Sequence, residues 1–138
     1  MILLDTNVLS ALMRRAPDRE VVTWLDGQSP TAIWITSITL LEIRFGLQLM
    51  AAGRRRTSLN EAFDLLLERI SHRVAVFDAG AAEKAADLMA LRHKQARPGD
   101  LRDTMIAGIA LAHRAVLATR NTRHFADLPV RVINPWIA

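Results

Sequence analysis

Met1–Leu12 reads MILLDTNVLSAL, an apolar run that stops abruptly at Asp5, Thr6 and Asn7. Ile2, Leu3 and Leu4 are consecutive rather than alternating apolar residues, the pattern of a short strand covered on both faces in a parallel sheet. In open parallel sheets ligands collect at the carboxyl ends of the strands. Asp5 therefore stands where such a fold does its chemistry, and a helix starting near Thr6 directs its first backbone N–H groups to the same place. A lone Asp at this junction can equally be a helix cap. What separates the two readings is whether further acids converge on it.

Downstream, apolar runs of strand length alternate with helical patterns. TNVLSALM makes a short helix ended by Arg14, Arg15 and Pro17, and a second runs from Asp18 to Gln28 with Asp18 as its N-cap. Ser29 and Pro30 break it, and Ala32–Thr36, AIWIT, reads as a second buried strand. Ser37 then caps a long helix closed by Gly53. Arg54, Arg55 and Arg56 open the next segment as a solvated helix start or, as the lesser alternative, a nucleic-acid contact, and the helix that follows has Leu59, Phe63, Leu66, Leu67 and Ile70 inward. Val74–Phe77 is a third strand, and Asp78 caps a helix that ends in RHKQAR. After a loop at Pro98 and Gly99, GDLRDTMIAGIALAHRA forms a helix in which Ala107, Gly108 and Ala110 allow close packing against a sheet. Ala115–Thr119 is a fourth strand, and VRVI near the C-terminus is a last one. This alternation predicts a single α/β domain spanning residues 1–138, with a parallel four- or five-stranded sheet flanked by helices on both sides.

Composition narrows the functional classes. A chain of 138 residues with 51% hydrophobic and 23% charged residues can bury a full core without staples. The absence of cysteine excludes disulfides, thiolate metal sites and a cysteine nucleophile, and suits a reducing cytoplasm. No apolar stretch approaches the length of a membrane span, and the N-terminal run is too short for the core of a signal peptide, so a cytoplasmic protein without membrane contact is expected. The net charge of +4 comes almost wholly from arginine, whose planar fork suits phosphate, so the chain leans mildly toward anionic partners such as nucleic acid.

Three acids from distant parts of the chain complete the case begun at Asp5. Glu42 lies in the third helix, where Ile38, Phe45 and Leu49 share its face and place the carboxylate on an apolar stripe. A buried carboxylate is retained only when a cation or strong donors compensate it, a nearby arginine being the plainer partner. Gly46, one turn on, removes a side chain from the same face and opens it to a ligand or another backbone. Asp103 stands at a helix start, and Asp100 is a possible fourth acid, better read as a loop or cap residue. Carboxylate clusters of this kind suit hard cations such as Mg²⁺, and their chemistry is metal-assisted phosphodiester hydrolysis. His72, His93, His113 and His124 have no obvious Ser and Asp partners for a nucleophile triad, and Asn7 stands where phosphatases with an aspartyl nucleophile carry a second Asp.

LLDTNVLSAL at the start, SITLLEIRFGL around Glu42, RDTMIAGIALAHRAVLATRNTRHF from Arg102 to Phe125 and the terminal VINPW occur in order at characteristic separations. In these segments the chain resembles the PIN-domain family, specifically the VapC-type toxins of bacterial toxin–antitoxin pairs, over nearly its whole length. The resemblance implies an Mg²⁺- or Mn²⁺-dependent endoribonuclease in which Asp5, Glu42 and Asp103 hold metal and Thr6, Asn7 and Asn121 support them. It also implies a VapB-type antitoxin partner and a homodimer. The sequence departs from the family at Asn121, where many members carry Asp, which leaves open whether one or two metals bind. The rival reading is a catalytically silent RNA-binding or scaffold module on the same fold.

Overall fold

The computed structural model describes residues 1–138. Five strands form one parallel sheet: β1 (Ile2–Leu4), β2 (Ile33–Thr36), β3 (Val74–Ala75), β4 (Val116–Ala118) and β5 (Val132–Ile133). Their order across the sheet is β3-β2-β1-β4-β5, so the chain first builds outward from β1 on one side and then returns to build on the other. Six helices cover the sheet: α1 (Thr6–Met13), α2 (Arg19–Asp26), α3 (Ser37–Leu49), α4 (Arg54–Arg69), α5 (Ala79–Lys94) and α6 (Leu101–His113).

Alternation along the short strands divides the core in two. Leu3 and Leu117 pack with Ala81, Leu88, Ile106 and Ile109 of α5 and α6. Leu4, Ile33, Ile35 and Ala118 point the other way, onto Val8, Val21, Leu47 and Phe63 of α1 to α4. Burial of Leu3 and Leu4 on opposite faces is what the uninterrupted apolar run required. No helix is long and apolar enough to cross a membrane.

Several local expectations are corrected. Strands β3 and β5 are two residues each because they are edge strands with one neighbour, and the Phe77 N–H leaves the ladder to donate to Ser37 Oγ at 3.0 Å. Thr36 rather than Ser37 caps α3, its hydroxyl accepting from the Thr39 N–H at 3.0 Å. α3 stops at Leu49, and Gly53, at φ 154°, opens α4 instead of closing α3, in a conformation side chains rarely adopt. Asp18 precedes α2 but makes no cap hydrogen bond, because its carboxylate accepts from Trp136 Nε1 at 2.8 Å.

The apolar stripe assigned to Glu42 is also misplaced. Of its three residues only Ile38 is buried; Phe45 and Leu49 are 53% and 71% exposed, and Thr39, Ile43 and Leu47 complete the inward face of α3. Gly108 does allow a close approach, but to α5 rather than to the sheet. A Cβ there would lie 2.5 Å from the Ala81 carbonyl oxygen and 2.8 Å from Ala85 Cβ.

Candidate active site

The strand order reverses between β1 and β4, and a crevice opens at the carboxyl ends of strands at such a point. Register pairs Leu4 with Ala118, so the next residues, Asp5 and Thr119, emerge side by side. The Asp5 N–H still bonds to the Ala118 carbonyl at 2.9 Å, which fixes the carboxylate at the sheet edge.

Asp5 is 4% exposed and serves as cap and acid together. Its Oδ1 accepts from the Thr6 N–H at 2.8 Å. Its Oδ2 accepts from Thr119 Oγ1 at 2.7 Å and from Asn7 Nδ2 at 3.3 Å. Burial pushes the Asp5 carboxyl above the ordinary aspartate value and the Asp103 charge adds to this, against the lowering by its hydrogen-bond donors. Asn7 also donates to Thr119 Oγ1 and accepts from the Arg120 N–H at 3.0 Å, stitching the turn after β4 to the start of α1.

Glu42 reaches the same place from α3. Its Oε1 accepts from Thr6 Oγ1 at 2.9 Å, so Thr6 joins the first acid to the second. Arg102 approaches the other oxygen, Oε2, only to 3.8 Å. Burial is the main cause that raises the Glu42 carboxyl, with Asp5 and Asp103 adding like charge; the Thr6 hydrogen bond and Arg102 oppose it. Asp103 comes from the first turn of α6, and its Oδ2 accepts from His124 Nδ1 at 2.9 Å.

Asp5, Glu42 and Asp103 line one cavity of about 390 Å³, together with Thr6, Asn7 and Asn121. Arg14, Arg120 and Trp136 form part of the same wall, and Arg120 stacks over the Trp136 ring at 4.6 Å. Asp100 lies elsewhere. It is the N-cap of α6, its Oδ1 accepting from the Asp103 N–H at 3.1 Å, and it lines a neighbouring cavity with Arg97, Arg123 and His124.

Two residues of this arrangement escape a reading of the sequence. Thr119 looks like the end of an apolar run, and only the pairing of β1 with β4 sets it against Asp5. His124, read as lacking an acid partner, has one in Asp103, 21 residues away through α6 and β4.

The donor set is all oxygen, with Asp103 Oδ1 engaged by no protein donor and Glu42 Oε2 met only by the distant Arg102. As the side chains stand, no three acids or histidines are drawn together as a finished metal shell. Three carboxylates facing one cavity, two of them raised by burial and mutual repulsion, nevertheless form a site that a divalent cation would relieve, and their chemistry fits Mg²⁺ or Mn²⁺.

Comparison with known proteins places this geometry in a family. The family model described as PIN domain matches residues 2–130. VapC ribonuclease Y4jK of Sinorhizobium fredii is 40% identical over 137 residues, covering 99% of this chain and 98% of that protein. The crystal structure of FitAcB from Neisseria gonorrhoeae aligns at a TM-score of 0.90 and 33% identity over 100% of both chains. A toxin-antitoxin complex from Klebsiella pneumoniae aligns at 0.73 and 27% over 98% of each. The chain belongs to the PIN domain family.

Proposed function

We propose that this protein is an Mg²⁺- or Mn²⁺-dependent endoribonuclease, the toxin of a VapBC-type toxin–antitoxin pair. The observation that carries the reading is the single cavity at the strand-order reversal into which Asp5, Glu42 and Asp103 all project. Support for the substrate comes from the relative named VapC ribonuclease, and for the partner from the structural neighbour that is a toxin-antitoxin complex. A VapB-type antitoxin, a homodimer and a cytoplasmic location complete the proposal.

In this reading Asp5, Glu42 and Asp103 hold the ion. Bound to such carboxylates, Mg²⁺ or Mn²⁺ supplies Lewis-acid polarisation of a phosphoryl oxygen and acidification of water. The chain's own groups do the remainder. Thr119 and Asn7 fix the Asp5 carboxylate, Thr6 fixes Glu42, and His124 holds one oxygen of Asp103, so the acids keep their orientation as substrate enters. Arg14 and Arg120, on the same wall, present cations to the RNA backbone, and the Asn121 side chain adds an amide for a water or a phosphate oxygen.

Incubating the protein with cellular RNA tests the reading. Discrete cleavage with Mg²⁺ or Mn²⁺, abolished by chelator and restored by excess metal, is expected. RNA that is bound but never cut under any metal condition would favour the silent binding module.

A further inference from the structure

Gly46 is a glycine without an internal reason. It sits within α3 in ordinary helical conformation, and a Cβ built there meets nothing within 4 Å. Glycine in a helix costs stability relative to alanine, and here no packing neighbour and no turn requires it. The space a side chain would fill belongs to a second cavity, of about 280 Å³. Its floor is apolar, made by Met13, Ile43, Leu47 and Leu59, with Arg55 on its wall. Arg55 has no acidic partner within 4 Å.

This cavity is continuous with the acid cavity. Thr6, Ser10, Arg14 and Glu42 line both, so an occupant of the second adjoins whatever reacts in the first. An apolar floor beside a free guanidinium suits a flat, weakly polar group carried on an anionic chain. Unstacked RNA bases are recognised in this way, laid on apolar or aromatic surfaces and on arginine planes while the phosphates meet cations.

We propose that the second cavity is a nucleobase pocket, which takes the base next to the phosphate held among the acids, and that Gly46 leaves the room for it. The proposal rests on the ribonuclease reading. It makes Gly46 a position where function and stability pull in opposite directions.

The test compares wild-type protein with Gly46→Ala and Gly46→Leu. Because the added side chains meet open space, both variants should fold, and Gly46→Ala should melt about 2–4 °C higher. Binding is measured in chelator by anisotropy, with labelled single-stranded RNA dodecamers and an abasic ribose–phosphate dodecamer of equal charge. Wild-type protein should prefer the base-bearing strands by about tenfold, the scale of one stacked base. Gly46→Leu should lose that preference while binding the abasic strand as wild type does, and Gly46→Ala should lose part of it. An undiminished preference in a folded Gly46→Leu would overturn the pocket, and is also the result to expect if the cavity receives a protein segment instead. Cleavage is scored separately with Mg²⁺. Wild-type protein that cuts no RNA would overturn the ribonuclease reading, whereas the binding comparison decides the pocket by itself.

Discussion

At the scale of single residues, the innermost acid, Asp5, is held by neutral donors rather than by cations. Thr119 is the test of that arrangement, since its hydroxyl donates to Asp5 Oδ2 and accepts from the Asn121 N–H and from Asn7 Nδ2. Thr119→Val keeps the shape but removes all three bonds inside a fully buried position, and hydrogen bonds to charged groups are worth about 1.5–3 kcal/mol. Urea unfolding should show a loss of about 2 kcal/mol, and a loss below about 0.5 kcal/mol would mean that Asp5 is held by its other donors. Glu42 gives a pH test. Its carboxyl is raised in the folded protein, so the folded state binds the proton more tightly than the unfolded chain, and the metal-free protein loses stability as pH rises above 4.5 and through the folded value. Glu42→Gln removes the charge yet can still accept from Thr6. In chelator its melting midpoint should exceed the wild-type value at pH 7 and match it near pH 4, and equal midpoints at both would show that Glu42 carries no such strain. Asp5 and Asp103 were legible as candidates because each falls at a strand or helix boundary. Thr119 and His124 were not, because their roles depend on partners brought near only by the order of the sheet.

Elements were read more securely than their edges. Each of the five strands and six helices has a counterpart in the sequence, since period and punctuation are local properties. What a periodic pattern does not say is which side of a helix meets the core, and on α3 Phe45 and Leu49, apolar at helical spacing, face solvent. Gly108 shows the same gap, because its smallness was visible but its neighbour was not. Gly108→Ala should cost about 2–3 kcal/mol, since the contact is with the α5 backbone, which cannot turn aside as a side chain could. A midpoint within 1 °C of wild type would show that the two helices separate freely. The same helix, α5, carries Arg92, an arginine 5% exposed whose Nε and Nη2 grip both oxygens of Asp127 at 2.9 and 2.8 Å. Removing one partner of a buried pair costs about 3–5 kcal/mol, but Asp127 is partly exposed, so Arg92→Met should cost nearer 2 kcal/mol. The hydrogen bond from Arg92 holds the Asp127 carboxyl below its usual value of 3.8. Its contribution is therefore present above pH 3.8 and lost as pH falls through the lower folded value. The difference between wild-type and Arg92→Met midpoints should shrink only in strong acid, and a constant difference down to pH 2 would assign the loss to packing and to the bonds that Arg92 donates to Thr104 Oγ1 and the His124 carbonyl.

For the whole molecule, the position of the site follows from topology. Strands added first on one side of β1 and then on the other leave the ends of β1 and β4 adjacent and uncovered, and the acids gather there. That placement was readable in outline, because an apolar run ending in Asp marks the carboxyl edge of a parallel sheet. The net charge of +4 favours a polyanion, and Arg14 and Arg120 stand beside the acids on the cavity wall. The central claim is that the three carboxylates do chemistry on RNA rather than merely shape a surface. The most direct measurement compares wild-type and Asp5→Asn proteins on the same RNA, reading cleavage with Mg²⁺ and affinity in chelator. Asp5→Asn removes a charge and little volume, so cleavage should fall by about two orders of magnitude or more while affinity stays level or improves, since the phosphates meet arginines elsewhere. Equal cleavage by the two proteins would contradict the account.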